Sequence, residues 1–127
     1  MVKSVMIAED EFLIGFALKN TIQGWGFDVY DIIKTGEDLI SNALSKDPDL
    51  LLIDIYLEDS IDGIDAVIEI YKKKEIPVIY MTASSDPATF DKASKTKMLR
   101  YLKKPYDSNE LLEVIRSIWE NNLKISM

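Results

Sequence analysis

Four short stretches of the chain carry side chains that could do chemistry together. Glu9 and Asp10 close one apolar run, and Asp54 lies inside the run Leu50–Ile55. Thr82 ends the run Pro77–Thr82, and Lys104-Pro105 follows the run Leu99–Leu102. A lone charge inside an apolar strand costs several kcal/mol unless it is paired, so Asp54 demands partners. Carboxylates from two strands suit Mg²⁺, a hard cation that takes oxygen ligands at about 2.1 Å and keeps several waters. Such an ion would shield the repulsion between Asp10 and Asp54 and hold a phosphoryl oxygen. Lys104 can pair with a carboxylate before reaction and with a phosphoryl oxygen afterwards, and Thr82 can donate its hydroxyl to another. Carboxylate nucleophiles have precedent in aspartyl-phosphate chemistry, and Asp54, central to the set, is the expected one. Singly, the other residues have plainer readings. Glu9-Asp10 would favour the first turn of a following helix through its dipole, Thr82 would cap a turn, and Lys104 would be a solvated lysine.

What the chain lacks narrows the chemistry further. It has no cysteine and no histidine. That excludes disulfides, a thiol nucleophile, cysteine or imidazole metal sites and a Ser-His-Asp triad. The chain also cannot itself be a histidine phosphodonor. Acids outnumber bases 22 to 15, for a net charge of −7. The excess is local: residues 1–64 hold 13 acids and 4 bases, residues 65–127 hold 9 and 11. An acidic half repels nucleic acid, so direct nucleic-acid binding is not expected. The apolar start, residues 1–8, is too short for a signal peptide, and no apolar run approaches the ~20 residues of a membrane span. The expectation is a soluble cytoplasmic protein.

These groups must be positioned by alternating elements. Val5–Ala8 reads as a strand, and Phe12, Phe16 and Ile22 mark one face of a helix that stops near Gly24 and Gly26. Residues 27–33 alternate like an edge strand. A helix follows from Thr35, burying Leu39, Ile40, Ala43 and Leu44, and Asp47-Pro48 stops it. Leu50–Ile55 is nearly continuous hydrophobe, the pattern of a central strand covered on both faces. Asp62 caps a helix over about 64–74, and Pro77–Thr82 is a fourth strand. Asp86-Pro87 opens a helix to about Lys97. Leu99–Leu102 is a fifth strand, and Asp107 with Glu110 resembles a capping box before a helix burying Leu111, Ile115, Ile118 and Trp119. Strands joined by helical crossovers form a parallel sheet. Such sheets bind ligands beyond the carboxyl ends of their strands, where all the chemically able groups fall.

At these positions the chain resembles the receiver domain of two-component response regulators, over about residues 3–122 and as one domain spanning 1–127. The resemblance rests on the acidic pair Glu9-Asp10, on Asp54 in its apolar strand and on Asp62-Gly63. It rests equally on Thr82, Tyr101 and Lys104-Pro105. It implies a flavodoxin-like α/β fold with a five-stranded parallel sheet in the order 2-1-3-4-5 and helices on both faces. It implies that Asp54 accepts a phosphoryl group from a histidine kinase or a phosphotransfer protein. Mg²⁺ would then be held by Asp10, Asp54 and the backbone carbonyl of Tyr56, with Glu9 acting largely through water. Lys104 would contact a phosphoryl oxygen, and the Lys104-Pro105 peptide would be cis. Thr82 and Tyr101 would be the switch pair, changing the face formed by the fourth helix, fifth strand and fifth helix, where a downstream effector would bind. The chain would not be a conventional enzyme, but would catalyse its own phosphorylation and dephosphorylation.

The chain also departs from the family. Lys97 and Met98 replace a usual small pair before the fifth strand, so the turn there is expected to pack differently. Arg100 replaces a frequent acid, which weakens the expectation of a charge-paired dimer. The loop from Asp54 to Gly63 is one residue longer than the shortest common form. Tyr56 and Ser84 stand where the family tunes phosphoryl lifetime, and neither readily orients a water, so slow dephosphorylation is expected. Lys92, Lys95, Lys97, Arg100 and Lys103 suggest a basic face for an acidic partner. The competing readings are a receiver-fold interaction module that is not phosphorylated, a flavodoxin-like flavin or nucleotide binder, and an aspartate-nucleophile phosphatase. The binder needs a phosphate-cradling loop where Glu9-Asp10-Glu11 stands, and the phosphatase lacks its Asp-x-Asp.

Overall fold

The structure is a computed structural model that describes residues 3–58 and 61–126, with 120–126 described as backbone only. The elements alternate as β1 (Ser4–Ala8), α1 (Phe12–Gly24), β2 (Asp28–Val29), α2 (Gly36–Lys46), β3 (Leu50–Asp54), α3 (Gly63–Tyr71), β4 (Val78–Thr82), α4 (Pro87–Ser94), β5 (Met98–Lys103) and α5 (Ser108–Ser126). All pairings are parallel and the order is β2-β1-β3-β4-β5.

Strand alternation splits the core into two layers. Leu51, Ile53, Val78 and Tyr80 face Leu39 and Ala43 of α2, Ile64, Val67 and Ile70 of α3, and Ala93 of α4. Leu50, Leu52, Ile79 and Met81 face Ile22 of α1 and Leu111, Val114 and Ile115 of α5. Every residue of β3 and β4 is buried, as central strands covered on both faces require.

Short polar side chains start the helices by satisfying free amides. Thr35 Oγ1 accepts from Asp38 N at 3.1 Å and Asp62 Oδ1 from Asp65 N at 2.8 Å. Asp86 Oδ1 accepts from Ala88 N at 3.0 Å, and Asp107 Oδ1 from Asn109 N at 2.9 Å.

Several details differ from the sequence reading, each for a physical reason. Phe12 and Phe16 do not mark a buried face: they are 63% and 51% exposed, stacked on each other with centroids 5.8 Å apart. The buried positions of α1 are Gly15 and Ile22. A Cβ on Gly15 would lie 2.9 Å from Ile32 Cγ2, so the helix meets the sheet edge through a glycine rather than an aromatic. β2 is only two residues long, and beyond it Ile33 makes an isolated bridge to Ala8. α3 ends at Tyr71 rather than near residue 74. α4 ends at Ser94 rather than Lys97, because Thr96 turns inward and hydrogen-bonds the buried Tyr80 hydroxyl at 2.9 Å. β5 begins at Met98, and a register shift lets Leu99 be skipped between Met98, opposite Val78, and Arg100, opposite Ile79. Positions 59 and 60 of the longer loop lie outside the described residues.

Candidate functional site

Register brings the candidate residues to one rim. Ala8, the last residue of β1, stands opposite Ile53, so Glu9 and Asp10 emerge level with Asp54. Asp54 stands opposite Met81, one residue before Thr82, and Thr82 opposite Lys103, one residue before Lys104. One carboxylate oxygen from each of Glu9, Asp10 and Asp54 falls within 4.8 Å of the others. Like charges at that spacing repel strongly unless a cation joins them.

Lys104 supplies one such charge. Its Nζ donates to Glu9 Oε1 at 2.8 Å and to Asp54 Oδ2 at 3.0 Å. The Lys104-Pro105 peptide is cis, and Lys104 N donates to the Thr82 carbonyl at 2.7 Å, tying the turn after β5 to the end of β4. Burial alone would lower the ammonium's pKa, but the bonds to Glu9 and Asp54 more than reverse this and hold it above its ordinary value. Glu9 is fully buried. Burial pushes its carboxyl well above the usual range, Lys104 opposes the shift and Asp54 adds to it. The second Glu9 oxygen accepts from Glu11 N at 3.3 Å.

Asp54 is nearly buried, with Oδ1 accepting from the Tyr56 amide at 3.2 Å. The same backbone turn therefore orients the Asp54 carboxylate and carries the Tyr56 carbonyl. Gly63 lets α3 begin directly against this turn: its amide donates to the Ile55 carbonyl at 2.7 Å. A Cβ there would lie 2.5 Å from Ile53 Cγ2 and 2.8 Å from the Asp54 carbonyl oxygen. Thr82 is fully buried at the far side of the rim, where its Oγ1 accepts from Ser84 N at 3.1 Å and keeps its own proton to donate.

Tyr101 lies away from the acids. Its ring meets Phe90 of α4 edge-on, centroids 5.1 Å apart, and its hydroxyl is buried with no protein partner among the described residues. The basic stretch is less free than its sequence suggests. Lys92 binds Asp62 and Asp65, Lys97 binds Glu75 at 2.8 Å, and Lys103 hydrogen-bonds Ser85, leaving Lys95 and Arg100 as its exposed members without such a bond among those described.

Three polar contacts around α4 had no sequence signal. Tyr56 Oη and Thr89 Oγ1 lie 3.2 Å apart, Lys92 reaches Asp62 across 30 residues, and Tyr80 pairs with Thr96. Each joins residues far apart in the chain with no common motif.

The site fits a hard divalent cation: three carboxylates converge from two strands, and all three donors are oxygen. Among the described residues, no helix is long and apolar enough to cross a membrane.

Comparison with known proteins gives a consistent picture. The family model described as the response regulator receiver domain matches residues 5–116. The transcriptional regulatory protein PdtaR of Mycobacterium tuberculosis is 31% identical over 113 residues, covering 89% of this chain and 55% of its own length. The phyllosphere-induced regulator PhyR of Methylorubrum extorquens is 34% identical over 116 residues, covering 91% of this chain and 43% of its own length. The chain thus spans about half the length of these curated relatives. Among solved structures, the signal receiver domain of a modulated diguanylate cyclase from Desulfovibrio desulfuricans superposes with a TM-score of 0.87 at 29% identity. That match covers 98% of this chain and 99% of the other. A CheY-like receiver domain protein from Methanospirillum hungatei superposes at 0.89 with 22% identity and 98% coverage of both chains, a likeness of fold.

Proposed function

Because the chain belongs to the response regulator receiver family of two-component systems, we propose that Asp54 accepts a phosphoryl group from a histidine on a sensor kinase or phosphotransfer protein. The observation that carries this reading is the convergence of Glu9, Asp10 and Asp54 within 4.8 Å, with Lys104 bridging two of them. In the reaction an Asp54 oxygen forms a bond to phosphorus as the donor's nitrogen–phosphorus bond breaks. Two hydrogen bonds, from the Tyr56 amide and from Lys104, hold the carboxylate in one orientation beforehand. Lys104 then turns from Asp54 Oδ2 toward a phosphoryl oxygen while keeping its bond to Glu9. Mg²⁺, held by Asp10, Asp54 and the Tyr56 carbonyl with Glu9 behind, would neutralise phosphoryl charge.

After transfer, Thr82 donates its hydroxyl to a phosphoryl oxygen and gives up its bond from Ser84. Tyr101 and Phe90 report that movement to the surface of α4, β5 and α5, where an effector binds. The phosphoryl group acts by favouring one of two arrangements that already exist. Localisation in the cytoplasm follows from a kinase or phosphotransfer donor. A receiver-fold module that is never phosphorylated has no need of an acidic cluster with a lysine across it.

Incubation with Mg²⁺ and acetyl phosphate, followed by intact mass, tests the reading. A single phosphoryl adduct is expected, absent without Mg²⁺ and absent in Asp54→Asn. An undiminished adduct in that variant removes Asp54 as the acceptor.

A further inference from the structure

The loop that follows Asp54 is fastened to α4 at two points. From the middle of α4, Lys92 Nζ reaches Asp62 Oδ2 at 2.9 Å and Asp65 Oδ1 at 2.8 Å. Asp62 is the residue whose other oxygen caps α3, so the lysine grips the cap itself. One turn earlier on α4, Thr89 Oγ1 meets Tyr56 Oη at 3.2 Å. Tyr56 is also the residue whose amide holds Asp54, and the Gly63 amide, next to Asp62, pins the Ile55 carbonyl just before it.

We propose that Lys92 and Thr89 are positioning residues for the cation site: gripping Asp62, Asp65 and Tyr56 from α4, they hold the acceptor loop in its metal-binding shape. This inference rests on the proposed Mg²⁺ site and adds a direction to it. A partner that displaces α4 weakens cation binding, and a bound cation opposes displacement of α4. The route runs through the loop and is separate from the one through Thr82 and Tyr101. By linkage the two effects are equal in size.

Plain electrostatics makes the opposite prediction, which allows a clean test. Removing the Lys92 charge leaves the region more negative, and a general field effect would tighten Mg²⁺ binding. Loss of the clasp loosens the loop and weakens it. We therefore expect Lys92→Gln to bind Mg²⁺ about threefold more weakly in calorimetric titration, since half-exposed ion pairs couple only modestly. Lys92→Arg should restore wild-type affinity. Thr89→Val, which changes no charge, should weaken binding in the same sense. Amide hydrogen exchange over residues 55–58 and 61–62 should quicken in Lys92→Gln and Thr89→Val but not in Lys92→Arg. Acetyl phosphate labelling of Lys92→Gln should lag at low Mg²⁺ and recover at saturating Mg²⁺. Equal or tighter Mg²⁺ binding by Lys92→Gln overturns the clasp and leaves the proposed function standing. A wild-type protein that shows no saturable Mg²⁺ binding overturns both.

Discussion

Replacing Lys104 by methionine keeps the side chain's length and removes its charge. In the native protein the ammonium joins Glu9 and Asp54 at 2.8 and 3.0 Å, and only 21% of its side chain is exposed. Removing one partner of a buried ion pair costs roughly 3–5 kcal/mol, because the remaining charges stay buried without compensation. With partial exposure, about 3 kcal/mol is expected here. Unfolding entropy of about 2.1 cal/mol/K per residue turns that into a drop in Tm of roughly 10 °C for a chain of this size. The variant retains all three carboxylates and has no ammonium competing for Asp54, so Mg²⁺ binds it more tightly than it binds wild type. At free Mg²⁺ about 100 times the variant's Kd the cation adds roughly 2.7 kcal/mol to the variant and less to wild type, so the gap between them narrows by the difference. The assay is thermal unfolding of both proteins across a Mg²⁺ titration, followed by circular dichroism. An unchanged Tm without Mg²⁺ would refute the claim that Lys104 holds the carboxylates together. Equal Mg²⁺ stabilisation of both proteins would refute the claim that lysine and cation share Asp54.

Other outcomes follow from single contacts. Thr96 Oγ1 donates to the Ala93 carbonyl at 2.7 Å, so the Tyr80 hydroxyl must be the donor in their shared bond. Thr96→Val should then cost about 1–3 kcal/mol in urea unfolding by stranding a buried donor, more than the roughly 1 kcal/mol of Tyr80→Phe. Gly63→Ala puts a Cβ against Ile53 and the Asp54 carbonyl and should cost about 1–3 kcal/mol while slowing acetyl phosphate labelling. Normal labelling by that variant would show that α3 does not fix the acceptor turn. Phe16→Ser removes an exposed ring and should change stability by no more than about 0.5 kcal/mol, against 2–5 kcal/mol for Ile22→Ala in the core. Wild-type protein should lose ³²P label more slowly than a Tyr56→Asn, Ser84→Glu variant, and the reverse order would remove the link between these positions and water access.

What the sequence revealed and what it hid divide along a physical line. The rim was legible because a parallel sheet puts strand ends side by side, so the ends of four apolar runs define one place before its chemistry is considered. Helix starts at Thr35, Asp62, Asp86 and Asp107 were legible because capping is local. The face of α1 is hidden from its pattern because Phe12 and Phe16 have the i, i+4 spacing of a core stripe. On this helix that spacing produces a stacked pair on the surface, and Gly15 makes the close approach. The second strand is shorter than its pattern because alternation over residues 27–33 persists after the ladder to β1 breaks at Val29. The basic stretch lacks a uniform meaning because Lys92 and Lys97 find acids at the cap of α3, within it and beyond its end, pairings set by how α4 sits rather than by anything local. The same holds for Tyr56 with Thr89 and Tyr80 with Thr96.

If Asp54 carries the phosphoryl group, chemical trapping locates it residue by residue. Protein treated with Mg²⁺ and acetyl phosphate is reduced with borohydride, which converts an aspartyl phosphate to homoserine, and then digested and sequenced by mass spectrometry. Homoserine is expected at position 54 alone, and only when Mg²⁺ was present. Homoserine at position 10 or another acid, or none in a protein shown to bind Mg²⁺, would contradict Asp54 as the acceptor.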